Sequence, residues 1–205
     1  HARNRLAQRL KLDLSDIEII DMRADQEQGR RATYAKHLAK KRARQGYNFE
    51  EAYDKMYERN YFGMMMVETG EADAFITGLY TKYSNTIKVA KEVVGIRPEY
   101  KTFATMHILN TKKGTFYIAD TLINRHPDEN VLMDVAKLSA HTVQFFNEEP
   151  HIAMISYSNF GTDEVGSPMK VHLAVEEMQK QYPYLAIDGE MQVNFALNKE
   201  LRDDK

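Results

Sequence analysis

The chain has 205 residues, of which 43% are hydrophobic and 28% are charged, and its formal charge at pH 7 is -2. This length can bury one large core or two small ones, and the near-neutral charge gives no electrostatic argument for a nucleic-acid partner. Cysteine is absent, which excludes disulfides and cysteine nucleophiles and suits a cytoplasmic location. No apolar run approaches the roughly 20 residues of a membrane helix, so we expect no membrane partner.

The first 60 residues are predicted to be mostly helical. The predicted helices cover residues 3–12, 27–44 and 48–60, and a short apolar strand, Ile17–Asp21, separates the first two. Asn48 and Glu51 have the spacing of a capping box. The basic run Lys36–Gly46 is typical of a solvated helix face.

Residues 61–78 predict two short buried segments separated by Gly70. The first contains three consecutive methionines, Met64–Met66, whose flexible side chains fit either a binding surface or a core, with core filling the commoner use. A helix is predicted next, over residues 85–95. The predicted boundary between two subdomains precedes it, so that the first covers residues 1–80 and the second residues 81–205.

The second half alternates between strand-like and helical patterns. Two β-rich runs, Thr102–Thr111 and Thr115–Asn124, predict a hairpin across a Lys-Lys-Gly turn. Residues 128–147 predict a helix. The apolar runs that begin at Ile152 and Tyr184 flank an amphipathic stretch, which is the pattern of a strand–helix–strand unit. The order predicts an α/β fold with a mixed sheet.

Polar residues follow the predicted strands, where ligands of such sheets bind. The loop Ser156–Pro168 offers hydroxyls, two glycines and a helix N-terminus, so an anion site and an ordinary polar loop are both compatible with it. Asp188 and Glu190 predict either a pair for acid–base or metal chemistry, or a capping Asp beside a solvated Glu. Asp120 and Thr121 end another strand and are placed at the same crevice.

Five segments together resemble one family. The segments are RNYFGMMMVETGEADAFITG (residues 59–78), SYSNFG (156–161), DGEMQ (188–192), KRARQG (41–46) and IADTLIN (118–124). They are similar to the phosphotransacetylase-like domain that is fused to the C-terminus of bacterial hybrid malic enzymes. The similarity extends over nearly the whole chain.

The resemblance implies an αβα sandwich with a mixed sheet, like that of isocitrate and isopropylmalate dehydrogenases, with a cleft between two subdomains. It also implies a homo-oligomer, at least a dimer, that binds acetyl-CoA or a related effector. NADP and Mg or Mn would belong to the N-terminal domain of the parent protein, which oxidatively decarboxylates malate. The family's first strands and its C-terminal RPVNDLSRG segment have no counterpart here, so the resemblance implies a domain truncated at both ends.

The resemblance assigns an acyl-CoA or phosphate cleft but no catalytic residues and no metal ligands in this chain. The implied cleft residues are Arg42, Lys88, Asp120, Thr121, Ser158, Asn159, Gly161, Thr162 and Asp188. Spacing alone leaves the choice between Arg42 and Arg44 open. Two positions depart from the active acetyltransferases: Lys88 replaces an arginine, which loses a bidentate fork, and Thr121 replaces a cysteine.

Three functions therefore compete. The first is a non-catalytic regulatory domain of an NADP-dependent malic enzyme, which Asn159 and Phe160 in SYSNFG favour. The second is a phosphate acetyltransferase, which moves an acetyl group between coenzyme A and phosphate. The third is an assembly module without a ligand.

Overall fold

The computed structural model describes residues 2–11, 13–78 and 81–203. The chain divides into two compact units, His1–Gly95 and Ile96–Lys205. The predicted subdomains meet between residues 80 and 81, and that assignment stays a prediction. Within the described residues, no helix is long and apolar enough to cross a membrane.

The described part of the first unit is helical. Its α-helices are α1 (Ala2–Leu10), α2 (Gln28–Lys41), α3 (Phe49–Lys55), α4 (Arg59–Glu68) and α5 (Tyr83–Val93), with 3-10 turns at Asp25–Glu27 and Ala43–Gln45. The predicted capping box is confirmed: the Asn48 side chain accepts from the Glu51 amide at 2.8 Å, and the Glu51 side chain accepts from the Asn48 amide. The predicted helix over residues 48–60 is interrupted between α3 and α4.

The methionine run lies in the core, as the preferred interpretation predicts. Met64 and Met65 are buried on α4, and Met66 packs at the edge of the same cluster. Tyr34 of α2 is fully buried and meets Phe62 edge-on, with ring centroids 5.2 Å apart. One apolar cluster thus holds α2, α3, α4 and α5 together.

The predicted strand Ile17–Asp21 is wrong. Residues 17–20 are not part of any strand, and Ile17 and Ile19 are more than half exposed. Only Ile20 packs against the core of the unit. No strand of the described residues pairs with this segment, so its β propensity has no ladder to join.

The second unit contains two separate two-stranded sheets in its described residues. Strands β1 (Met106–Thr111) and β2 (Gly114–Ala119) form the predicted antiparallel hairpin, and β3 (His151–Ile155) pairs in parallel with β4 (Ala186–Met191). Helices α6 (Glu129–Phe145), α7 (Gly166–Gln181), α8 (Val193–Leu197) and α9 (Lys199–Asp203) complete it.

The single mixed sheet that the element order predicts is therefore not found among the described strands. The hairpin and the parallel pair share no ladder hydrogen bonds, and α6 contacts strands of both. The parallel pair with α7 is the predicted strand–helix–strand unit. A buried cluster under it, which includes Met154, Ala174, Met178 and Ile187, fixes the positions of the loops that follow β3 and β4.

Candidate functional site

The loop that follows β3 is held against β4. We call Ser156–Gly161 the SYSNFG loop. Its first amide donates to Met191 O at 3.0 Å. In the other direction, the Gln192 amide donates to Asn159 Oδ1 at 2.8 Å, and Gln192 Nε2 donates to Tyr157 O at 2.6 Å. The two segments that the resemblance singles out, SYSNFG and DGEMQ, thus form one hydrogen-bonded substructure.

Five successive amides of this region, residues 158–162, each have an acceptor within the chain. The acceptors are, in order, Ser156 Oγ (3.1 Å), Thr162 Oγ1 (3.3 Å), Glu190 O (2.8 Å), Glu190 Oε1 (2.8 Å) and Asn159 O (3.2 Å). An anion cradle needs amides that point at the ligand. An anion would therefore reach these donors only by replacing acceptors of the chain itself.

The hydroxyls of the region lie together. Ser158 is buried and its Oγ lies 2.7 Å from Thr162 Oγ1, an arrangement in which either oxygen can donate. Thr162 is exposed, so its hydroxyl is the group through which a ligand can contact this pair. Tyr157, which is 64% exposed, donates to Asp163 Oδ2 at 2.8 Å beside them.

Glu190 is the buried carboxylate of the site. Its exposure is 0%, and Oε1 accepts the Gly161 amide at 2.8 Å. No described residue donates a hydrogen bond to Oε2, and Nδ1 of His172 on α7 lies 3.5 Å from it. The His172 side chain is 39% exposed, and its Nε2 lies 3.5 Å from Glu176 Oε1. The alternative that made Glu190 a solvated residue is wrong.

Asp188 and Glu190 lie in different environments, since Glu190 is buried and Asp188 is not. Asp188 is exposed, and its Oδ1 accepts the amide of Gly189 at 2.8 Å. It borders an open groove of about 770 Å³ whose lining includes Phe116, His151, Gln179 and Leu197. The described residues contain no group of three or more acidic or histidine side chains that could hold a metal ion.

Asp120 organises the loop after β2. Its carboxylate accepts from the Thr105 amide (3.1 Å), Thr105 Oγ1 (2.9 Å), the Asn124 amide (2.8 Å) and Asn124 Nδ2 (2.6 Å). Burial raises the pKa of Asp120, but the hydrogen bonds from Asn124 and Thr105 outweigh it and the net pKa is lowered. Thr121 is exposed, with Oγ1 2.6 Å from His107 Nδ1 on the neighbouring strand.

Arg42 and Lys88 belong to the first unit, whereas the other seven predicted cleft residues belong to the second. Arg42 stabilises the C-terminus of α5, since Nε donates to Glu92 O at 2.6 Å and Nη2 donates to Lys91 O. The Lys88 side chain is 68% exposed, and its Nζ lies 3.8 Å from Glu92 Oε1. The common cleft for all nine residues stays a prediction.

Glu92 is the centre of a polar cluster beside Lys88. Tyr47 donates to Glu92 Oε2 at 2.5 Å, Tyr61 donates to the same oxygen, and Lys55 lies 3.9 Å away. Burial raises the pKa of Glu92, but the two tyrosine hydrogen bonds and the charges of Lys55 and Lys88 outweigh it, so the net pKa is below the ordinary 4.5. Burial is also the main reason that the pKa of Tyr47 rises to about 12.

This cluster predicts an acid-dependent loss of stability. Because the folded pKa of Glu92 is lowered, its contribution is present above pH 4.5 and is lost as the pH falls through the folded value. We expect Glu92→Gln to lower the free energy of unfolding by about 1–3 kcal/mol at pH 7. The loss should be much smaller at a pH where Glu92 is protonated in both the folded and the unfolded protein. Urea unfolding of both proteins between pH 7 and pH 3 measures this, and an equal cost at every pH would contradict it.

Four residues that take part in these polar contacts were not among the predicted cleft residues: Glu190, His172, Gln192 and Glu92. The alternation in DGEMQ is the available signal, because Glu190 and Asp188 are two apart on a strand and would share a face in a regular ladder. The ladder register shifts between Met154 and Ile155, and this irregularity puts Glu190 inside and Asp188 outside. No sequence pattern indicates that shift.

A family model described as phosphate acetyl/butaryl transferase matches residues 2–205. The chain is 38% identical over 143 residues to the NADP-dependent malic enzyme of Escherichia coli K12, covering 70% of this chain and 19% of that protein. It is 31% identical over 179 residues to the phosphate acetyltransferase of Acetivibrio thermocellus, covering 84% and 54%. The chain thus spans about a fifth of the one relative and about half of the other.

The structure resembles that of the EutD phosphotransacetylase from Staphylococcus aureus, with a TM-score of 0.76 at 26% identity, covering 98% of this chain and 61% of that one. A phosphotransacetylase from Streptococcus pyogenes gives a TM-score of 0.71 at 27% identity, covering 91% and 54%. These likenesses confirm the resemblance that the motifs indicate. The chain belongs to the phosphate acetyl/butyryl transferase family and is homologous both to the phosphotransacetylase-like C-terminal part of NADP-dependent malic enzyme and to phosphate acetyltransferases.

Proposed function

We propose that this chain is a non-catalytic domain that binds acetyl-CoA and thereby regulates an NADP-dependent malic enzyme. The parent protein would oxidatively decarboxylate malate to pyruvate, with NADP and Mg or Mn held outside this chain. The domain would also support assembly of the parent into a homo-oligomer. Regulation of this kind requires that acetyl-CoA bind two states of the parent with different affinities.

One observation carries the proposal: the amides of residues 158–162 are all engaged by acceptors of the chain itself. A loop that transfers acetyl groups to phosphate needs donors ready for an anion and for the charge of the tetrahedral intermediate. Here the closed loop is completed by Asn159, which accepts from the Gln192 amide, and by Phe160, whose ring meets Phe195 at 5.3 Å. These two residues favour the malic-enzyme version of the domain.

Two replacements relative to the acetyltransferases support the loss of acetyl transfer in this chain. Lys88 stands where the acetyltransferases have an arginine, and a single ammonium cannot make the bidentate contact that suits phosphate. Thr121 stands in the place of a cysteine, and its hydroxyl is hydrogen-bonded to His107. Both leave hydrogen-bonding groups that can contact an effector.

The second candidate is a phosphate acetyltransferase, and the fit to two solved phosphotransacetylases favours it. An assembly module without a ligand is the third. Incubation of the full-length protein with acetyl phosphate and coenzyme A separates the first two, because acetyl transfer would form acetyl-CoA and release phosphate. We expect no thioester formation, together with saturable acetyl-CoA binding in calorimetry. Turnover would establish the second candidate, and absence of both would leave the third.

A further inference from the structure

Glu190 has an unusual environment for an acidic residue. It is fully buried, yet its carboxylate receives one hydrogen bond, from the Gly161 amide, and its Oε2 has no donor among the described residues. Burying a carboxylate with so few partners is costly. Hydrophobic packing alone therefore gives no reason for a glutamate here.

The SYSNFG loop has a conformation that needs to be held. Phe160 has φ 45° and Gly161 has φ 79°, so two successive residues lie in the left-handed region, which a bulky side chain such as that of Phe160 rarely adopts. Glu190 holds both residues at once. Its carbonyl oxygen accepts the Phe160 amide, and its carboxylate accepts the Gly161 amide, each at 2.8 Å.

We infer that Glu190 is a positioning residue for the acyl-CoA ligand: through the Gly161 amide it fixes the loop that presents the exposed Thr162 hydroxyl, which contacts the buried Ser158 hydroxyl. This inference rests on the proposed function, since it takes acetyl-CoA as the ligand of the loop. Glu190 does not touch the ligand itself, because it is buried beneath the loop. The positioning depends on a hydrogen-bond acceptor within reach of the Gly161 amide and not on the negative charge of Glu190.

A glutamine at this position separates the acceptor from the charge. In Glu190→Gln, Oε1 still accepts from Gly161, and the new amide faces His172 Nδ1, which lies 3.5 Å from the present Oε2. Glu190→Ala removes the side-chain acceptor of the Gly161 amide and keeps the backbone carbonyl that accepts from Phe160. Val175→Ala is the matched control, because Val175 is a buried residue of α7 in the same unit and its truncation destabilises the unit without removing a hydrogen bond from the loop.

Calorimetric titration with acetyl-CoA measures how each substitution changes the affinity for the ligand. We expect Glu190→Gln to bind within about threefold of the native chain and Glu190→Ala to bind at least about tenfold more weakly. Val175→Ala should bind normally despite a lower melting temperature. Equal affinities for Glu190→Ala and Val175→Ala would overturn the inference, as would a folded glutamine variant that loses as much affinity as the alanine variant.

A second measurement does not depend on the ligand. Amide hydrogen exchange should show that Glu190→Ala loses protection at Gly161, whose acceptor is the Glu190 carboxylate, whereas Glu190→Gln retains it. Unchanged protection in the alanine variant would overturn the inference even if acetyl-CoA does not bind. Failure of the native chain to bind acetyl-CoA, with the exchange result as expected, would refute the proposed function alone. Glu190→Asp, which keeps the charge but shortens the reach, replaces the alanine variant if that one does not fold, with the same loss expected.

Discussion

Replacing Arg31 with methionine is expected to lower the free energy of unfolding by about 3–5 kcal/mol. Arg31 is 3% exposed on α2, and its Nη1 donates to Met22 O at 2.6 Å and to Ala24 O at 2.8 Å. Its guanidinium also lies 4.7 Å from the centre of the Tyr57 ring, a cation–π contact. Methionine preserves much of the packing volume but removes the Arg31 donor from both carbonyls, and only Ala24 O keeps another donor, the Glu27 amide at 3.1 Å.

Arg30→Met is the matched control for this substitution. Arg30 is the preceding residue, its side chain is 31% exposed, and it pairs with the Glu27 and Glu71 carboxylates near the surface. Such exposed pairs contribute about 0–1 kcal/mol. Urea unfolding followed by circular dichroism compares the two variants. Equal losses would mean that the buried hydrogen bonds of Arg31 contribute no more than a surface ion pair.

Gly189→Ala is expected to cost about 3–5 kcal/mol, because two penalties add at this position. Gly189 has φ 140°, and a Cβ there would lie 2.6 Å from Met154 O and 3.1 Å from Met154 Cβ. The carbonyl belongs to the neighbouring strand of the parallel pair, so it cannot move without disturbing the β3–β4 ladder. The same substitution should also displace Glu190 and open the SYSNFG loop.

Gly114→Ala provides the comparison in the same unit. Gly114 has φ 124°, but a Cβ there would meet no heavy atom within 4 Å. This variant should therefore show the backbone strain alone, about 1–2 kcal/mol. Thermal unfolding of both variants separates the cost of backbone strain from the cost of the steric contact with Met154. A Gly189 variant no less stable than the Gly114 variant would show that β3 and β4 can move apart freely.

Local patterns in the sequence predicted local structure well. The Asn48–Glu51 capping box, the β1–β2 hairpin and the β3–α7–β4 unit each depend on residues close together in the chain, and all three are confirmed. The buried methionine run was also predicted, because filling gaps in a core is the commoner use of methionine side chains. In these cases propensity, hydrophobic periodicity and turn chemistry favour the same structure.

Predictions that depend on distant partners were less successful. Ile17–Asp21 has the composition of a strand, but strand formation needs a neighbour, and none of the described residues supplies one. The separation of the hairpin from the parallel pair likewise depends on which edges meet in space. The burial of Glu190 depends on an irregular register between β3 and β4. In a regular strand, side chains two residues apart point to the same face, so Glu190 would lie on the same face as the exposed Asp188.

Malate-dependent reduction of NADP by the parent protein proposed above, with and without acetyl-CoA, tests whether this chain regulates a malic enzyme. We predict that the protein oxidises malate and that acetyl-CoA changes the rate, because the effector binds the two states of the enzyme unequally. A protein without malate activity, or one whose malate activity is the same at every acetyl-CoA concentration, would contradict the claim.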